Sequence, residues 1–372
     1  VRIAFLAVQF AEYSARLALA LAERADVLLV LDGSLSDKEC DPGLMDELRR
    51  KVTLVEYRYT GSASRALTFA RVCLRVALFR PDVLHVQEQA DRSTARIVRY
   101  LAPRYPMVLT VHDPKPHRGR DAVWAEQNRI HRDEMRASAD IYHVHGAFCR
   151  EELRSVVGDE RPILDTMHGV ILVPGQPERR APDPRRILFF GRMEAYKGIE
   201  VLLDAADRLA ADGIPFEVVL AGRGPELDRL RPRIADMPSV TVLEGFLTPA
   251  QAVAEFQKAA AVAVPYLDAT QSGVVAAAIA NGRPCVGSRV GGLVDALRDG
   301  ATGLLVPPGD AVALAEALRR VLTDTALRET LATEAARAAG AAFAWSTVAD
   351  TLIDAYRLAI AGGNPATRPV TS

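Results

Sequence analysis

Two short strings in the second half of the chain carry the residue types needed to hold a polyanion. In "GRMEAYKG", Gly191-Arg192 ends an apolar run and Lys197-Gly198 opens the next helical stretch. Glycines at such points let the backbone turn tightly and approach a ligand, and a helix start offers amide N–H groups that have no intrahelical acceptor. Arg192 and Lys197 add two formal positive charges at the same mouth. A departing diphosphate gains charge as its bond to carbon breaks, so fixed cations aimed at it lower the barrier. Two solvated surface charges on a loop are the plainer alternative; the whole string favours the ligand.

The second string is "DATQSGVVAAAIANG". Thr270, Gln271 and Ser272 form a polar loop ahead of Gly273 and Val274, where an apolar and therefore buried helix begins. Thr270 and Ser272 are natural caps, and Gly273 leaves the amides open to an anion as well. A third turn, "AGRGPE" with Gly222 and Gly224, reads equally well as a ligand contact or as a tight turn. In the first half, "TVHDPKPH" puts His112 at a strand end with Asp113 and His117 in the loop that follows. His112 could serve a ligand or simply cap a strand end, and the spacing of the three is not diagnostic of a metal site. His143, His145 and His168 could line the same region. His143 and His145 share one face of a strand, but as core residues they need no function.

The elements that must position these residues alternate. Apolar, largely β-branched runs at Val1–Val8, Val27–Leu31, Val52–Tyr57, Val83–Gln87, Val108–His112 and Ile141–Val144 are separated in several places by amphipathic helical stretches such as Ser14–Arg24 and Arg65–Phe79. After a proline-rich segment the alternation restarts with "RILFFGR", "FEVVLAGRG", "VTVLEGF", "AVAVPY", "RPCVGS" and "GLLVPPGD". Such βαβ repetition predicts an α/β fold of two Rossmann-like, doubly wound domains with ligands at the carboxyl ends of the strands. We place the first domain at 1–173, a linker at 174–184 and the second domain at 185–344, with a last helix at 345–360 packing back on the first.

A chain of 372 residues fits two such domains, and its formal net charge of −1 gives no general attraction to nucleic acid. Cys40, Cys73, Cys149 and Cys285 form no CxxC pair, which suits a reducing, cytoplasmic setting. No stretch reaches the roughly 18 apolar residues of a membrane span. Arg65, Arg71, Arg75 and Arg80 stud an otherwise apolar helix. It could rest on an anionic membrane, but we read it as a sheet-covering helix whose arginines snorkel.

From Arg186 to Arg357 the chain resembles the donor-binding half of the retaining glycosyltransferases of family 4, which have the GT-B fold. "GRMEAYKG", "AGRGPE", "VTVLEGF", "ANGRPCVGSRVGGLVDALRDGATGLLVPPGD" and "FAWSTVADTLIDAYR" match that family in order and spacing, and "RPDVLHVQ" and "TVHDPKPH" look like it in the first half. The resemblance implies two domains facing a cleft, a nucleotide-sugar donor, an acceptor held by the first domain, no required metal and no separate cofactor. Arg192 and Lys197 match the family's diphosphate-binding pair, and His112 its sugar-contacting histidine. Gly191, Gly222, Gly224, Phe246, Thr270, Gln271, Ser272, Gly273 and Val274 fall on the donor side, and Asp113 and His117 on the acceptor side. The acceptor class implied is a small molecule, a glycan or a lipid-linked group. Two departures stand out. The family's paired glutamates are Ala269 and Ala277 here, and the glycine-rich loop after the first strand is missing, since "AVQFAEYSARLALALAER" has no glycine. A nucleotide-sugar 2-epimerase of the same architecture and a non-catalytic binding protein are the alternatives; the missing carboxylates favour the latter.

Overall fold

The computed structural model describes residues 1–58, 62–116, 120–173 and 181–362. His117 and most of the expected linker, 174–180, lie outside the described residues. The chain divides into two compact units: Val1–Gly169 together with the segment from Trp345 onward, and Val170–Ala344.

The first unit is built on β1 (Arg2–Ala7), β2 (Asp26–Asp32), β3 (Thr53–Tyr57), β4 (Val83–Gln87), β5 (Met107–Thr110), β6 (Ile141–His145) and β7 (Ile163–Thr166). These form one parallel sheet in the order β3-β2-β1-β4-β5-β6-β7. Period-2 alternation sends Ile3, Phe5 and Ala7 into one core and Ala4 and Leu6 into the other. The first core is closed by the helices Ala11–Ala22 and Trp345–Gly362, the second by Ser62–Phe79 and Arg92–Leu101, among others. The sequence reading has no counterpart for β7, whose four residues "ILDT" are too few to display a period.

The second unit carries β8 (Arg186–Arg192), β9 (Glu217–Arg223), β10 (Val240–Glu244), β11 (Ala261–Val264), β12 (Cys285–Ser288) and β13 (Gly303–Val306). They are parallel in the order β10-β9-β8-β11-β12-β13. Both sheets reverse their strand order beside the first strand of the unit, between β1 and β4 and between β8 and β11. Those reversals are where doubly wound sheets open a crevice for a ligand.

One expectation needs correcting. His112 does not end a strand. The amide of Val111 still donates to the carbonyl of His143 at 2.8 Å, but β5 stops at Thr110 and His112 sits in the bend beyond it. The four cysteines are free and buried. Among the described residues no helix is long and apolar enough to cross a membrane.

Candidate active site

In the second unit the site residues gather at the reversal between β8 and β11. β8 delivers Gly191-Arg192, and a single 3-10 turn, Ala195–Lys197, leads through Gly198 into the helix Ile199–Ala211. Gly198 adopts φ +67°, and a Cβ there would lie 2.0 Å from the carbonyl oxygen of Pro265, so only glycine lets this turn pack on the end of β11. The amide of Leu267 donates to the carbonyl of Tyr196 at 2.7 Å and ties the same two segments.

This packing buries Lys197, whose ammonium lies 5.1 Å from the centroid of the Tyr266 ring. Among the described residues it forms no ion pair, although the charge of Glu194 acts on it. Burial, with the neighbouring Arg192 charge second, pulls its pKa down to about 7. A Cβ on Gly191 would meet the Lys197 Nζ at 3.2 Å and the Val274 Cγ2 at 3.7 Å. Gly191, Lys197 and Val274, from two strings far apart in sequence, therefore border one spot. Ser272 caps the helix Gly273–Ala280, its hydroxyl accepting from the amide of Val275 at 3.4 Å. Helix geometry leaves the amides of Gly273 and Val274 without intrahelical acceptors beside Lys197. Arg192 is exposed next to it, Thr270 is buried, and the buried Gln271 Oε1 has no hydrogen-bond partner among the described residues.

Gly222 and Gly224 have a packing role. A Cβ at either would strike the carbonyl oxygen of Gly191 (2.0 Å) or Met193 (2.3 Å), so the β8 and β9 ends can lie together only without side chains there. Phe246 follows β10 with its side chain largely exposed. Ala269 and Ala277 are both buried. The backbone at 269–270 is pressed against Gly291-Gly292, where added Cβ atoms would come within 1.7 Å of the carbonyl oxygens of Ala269 and Thr270. Two glutamates that could stand in for them are committed elsewhere: Glu226 pairs with Arg229 at 2.6 Å and Glu244 with Arg231 at 2.9 Å.

In the first unit a cluster of aromatic and imidazole rings collects beyond the ends of β1, β5 and β6. His112 is only 3% exposed, and its ring centroid lies 4.5 Å from Phe10, 5.0 Å from Tyr13 and 4.9 Å from His145. Tyr13 is the hub, touched edge-on by His145, His168 and Trp345 as well. Both ring nitrogens of His112 and the Tyr13 hydroxyl are buried without hydrogen-bond partners among the described residues. Burial holds the pKa of His112 down at about 3 and that of His168 at about 4, so these rings are neutral near pH 7. His143 is engaged differently. A chain of hydrogen bonds runs from the Tyr356 hydroxyl to His85 (2.7 Å), on to the Thr110 hydroxyl (2.7 Å), to His143 (3.0 Å) and to the Thr166 hydroxyl (2.9 Å).

Three features of this region are absent from the sequence reading. Phe10 stands where the expected glycine-rich loop is missing and takes the left-handed conformation, φ +53°, just ahead of the helix Ala11–Ala22. For a non-glycine residue this costs about 1–2 kcal/mol. The half-buried Glu39 carboxylate accepts from the amide of Ala11 at 2.6 Å and so occupies that helix start. Finally, Arg136 and Glu88 form a buried bidentate ion pair with contacts of 2.6 and 2.8 Å. Arg136 also donates to the carbonyls of Pro114 (3.1 Å) and Asp113 (3.4 Å), fixing the loop that carries His112. Among the described residues no group of three or more His, Cys, Asp or Glu is arranged to hold a metal.

Residues 11–164 match the family model "Glycosyltransferase Family 4" and residues 184–324 match "Glycosyl transferases group 1". A D-inositol 3-phosphate glycosyltransferase of Corynebacterium diphtheriae is 30% identical over 312 residues, 74% of this chain and 70% of its own. The chain belongs to glycosyltransferase family 4. Another relative of the same name, from Geodermatophilus obscurus, is 39% identical over 190 residues, and that match spans 48% of this chain and 41% of the relative's length. A glycogen synthase of Mycobacterium tuberculosis is 29% identical over 296 residues, 76% of this chain and 70% of its own. Among solved structures, the sucrose-phosphate synthase of Thermosynechococcus elongatus superposes with a TM-score of 0.74 at 21% identity, covering 97% of this chain and 100% of that one. Anabaena HepE in complex with UDP and glucose gives 0.72 at 18% identity, covering 96% and 99%. The family 4 chain thus has the GT-B fold.

Proposed function

We propose that the protein moves a glycosyl group from a nucleoside-diphosphate sugar to an acceptor hydroxyl, with retention at the anomeric carbon and without a required metal. The observation that carries this is the meeting of Gly191, Lys197 and Val274 at one spot beside the amides of Gly273 and Val274. A buried ammonium outside any ion pair, next to open helix amides, is a receptor for a strongly anionic group. The relative named as a glycosyltransferase, and the HepE structure with UDP and glucose, support a nucleotide sugar as the source of that group.

In this reading the bond from the anomeric carbon to the diphosphate oxygen breaks while a bond to the acceptor oxygen forms on the same face. The departing phosphate oxygen takes the acceptor proton. Arg192 and Lys197 stabilise the growing charge on the diphosphate. His112 binds hydroxyls as a neutral ring, one nitrogen donating and the other accepting. Its depressed pKa makes it a weak base, which fits positioning better than proton abstraction.

The test is Arg192→Ala and Lys197→Ala, with donor turnover and product analysis. Loss of one charged donor to the leaving group costs about 2.7–4 kcal/mol, roughly two to three orders in rate. Rates for both variants within about tenfold of wild type would remove the assignment. The buried methyl groups of Ala269 and Ala277 support a second reading as a binding protein, which predicts nucleotide binding with no turnover of any donor.

A further inference from the structure

The helix Arg92–Leu101 follows β4, and its inner side packs Ala95, Ile97, Val98 and Leu101 into the second core. Its outer side is a row of cations. Arg92, Arg96 and Arg99 are exposed, and at about 100° per residue they fall within an arc of about 60°. Arginines three and four residues apart repel one another, and an acidic residue one turn away is the usual remedy. Other helices of the chain have it: Arg154 pairs with Glu151, Arg319 with Glu316 and Arg337 with Glu334. This helix contains no acidic residue, and the carboxylate of Asp91 ahead of it caps the amides of Ser93 and Thr94. A helix that only covers a sheet gains nothing from such a row.

The row lines a cavity of about 400 Å³ between this helix and the helices Ser62–Phe79 and Arg129–Ala137. Arg65 and His131 line it from the two neighbours, and no lining residue is acidic. Arg96 is held over the Phe69 ring at 4.6 Å, and Tyr100 packs edge-on to Phe69 at 5.7 Å. A ring orients a guanidinium without neutralising it, whereas a carboxylate does both. Arg92 makes no ion pair among the described residues. The buried His131 Nδ1 has no hydrogen-bond partner among them; the Glu134 carboxylate, at 3.8 Å, is out of reach and pairs with Arg99 at 2.6 Å. The cavity is thus strongly positive in a chain whose formal net charge is −1.

We propose that this cavity binds a small phosphate monoester, a phosphate group carried on a body of about sugar size. Guanidinium forks donate paired N–H bonds to the oxygens of a tetrahedral dianion, and Arg92 and Arg96, one turn apart, bring two such forks to one cavity. His131 supplies a further polar contact. A bare phosphate fills only a fraction of about 400 Å³, a volume within the range of small-molecule sites, so the remainder takes the esterified body beside Phe69. The cavity shares no residue with the Arg192–Lys197 site or with the ring cluster around His112, so the proposal stands independently of the function proposed above.

The experiment is calorimetric titration of the full chain with glucose 6-phosphate, ribose 5-phosphate and glycerol 3-phosphate, alongside inorganic phosphate and glucose. At least one ester should bind about tenfold or more tighter than inorganic phosphate, and glucose should not bind. Arg92→Ala/Arg96→Ala should lose about tenfold or more of that affinity. Without ligand it should melt within a few degrees of wild type, since it removes two like charges from an exposed face. Arg96→Lys, which keeps the charge without the fork, should lose severalfold. Arg192→Ala should bind the ester like wild type. Failure of all three esters to bind, an ester held no tighter than inorganic phosphate, or an Arg92→Ala/Arg96→Ala variant that binds like wild type would overturn the proposal. So would affinity lost in Arg192→Ala, which places the ester at the diphosphate residues, or attachment through Arg92 and Arg96 to phosphatidylglycerol vesicles with no soluble ester bound.

Discussion

Arg136 and Glu88 are joined by two short hydrogen bonds inside the first unit, and the same guanidinium holds the carbonyls of Asp113 and Pro114. The pair lies 48 residues apart in sequence and is nearly inaccessible to water. It couples the end of β4 to the loop bearing His112. Removing Arg136 leaves a buried carboxylate uncompensated. Arg136→Met is expected to cost about 3–5 kcal/mol in urea unfolding, and Arg136→Met with Glu88→Leu distinctly less. A single variant that unfolds within about 1 kcal/mol of wild type would show that the pair is not needed.

Under the proposed function, Lys197 should give nucleoside diphosphate binding a pH dependence. In the free protein it loses its proton near pH 7, whereas a bound diphosphate requires it charged. Affinity should therefore hold below pH 7 and fall as pH rises above it, by at most about tenfold per unit. Lys197→Arg, which stays charged, should flatten the profile between pH 7 and 9. Isothermal titration across that range decides, and an equally steep decline in the arginine variant would point to another group.

His112→Ala should slow transfer more than it weakens binding of the bare nucleotide, because the ring belongs to the first unit and the residues proposed to hold the diphosphate belong to the second. Steady-state rates and nucleotide titrations on the same protein samples compare the two losses. Equal losses would move His112 into the nucleotide site.

The buried methyl group at Ala277 predicts weak reading of the ribose. A carboxylate on ribose hydroxyls is worth about 1.5–3 kcal/mol, and Glu226 and Glu244 are engaged with arginines. Discrimination between a ribonucleoside diphosphate and its 2′-deoxy counterpart should stay below about fivefold. Calorimetry with matched ligands measures it. A ribo preference well above tenfold would mean that a substitute contact exists.

The imidazoles make the fold acid-sensitive. His112 and His143 titrate near 3 and His168 near 4, each held down mainly by burial, against about 6.5 in the unfolded chain. Between those values the unfolded chain binds more protons, so stability is complete above about pH 6.5 and drains away as pH falls towards 4. Melting temperatures between pH 7.5 and 5 should drop steadily. A flat profile over that interval is incompatible with neutral buried histidines.

What could be read beforehand was local. The "GRMEAYKG" and "TQSG" strings carry their chemistry within a few residues, and most strands among the described residues announce themselves through apolar runs; the four-residue β7 and β13 are not read as strands. The contacts that shape the site are distant in the chain. The carboxylate over the start of the helix Ala11–Ala22 comes from Glu39, 28 residues on, and His85 finds its hydroxyl partner 271 residues away in Tyr356. Nor does a single sequence reveal a left-handed phenylalanine. The preference at Phe10 is against it, and only the surrounding capping and ring packing impose it.

That Tyr356 should complete the first unit has a consequence for biosynthesis. Val348, Leu352 and Tyr356 fill the core that β1, β4 and the helix Ala11–Ala22 begin, and Trp345 covers Gly169 so closely that a Cβ there would sit 2.5 Å from the indole. A ribosome makes residues 1–169 before Val170–Ala344 and the helix that closes them after it, whereas Val170–Ala344 is continuous and can condense as soon as it emerges. The unit begun first is therefore finished second. Its uncovered face awaits the helix Trp345–Gly362 until that segment emerges, and a truncation just ahead of Trp345 damages the unit begun earlier in the chain, not the one beside the cut.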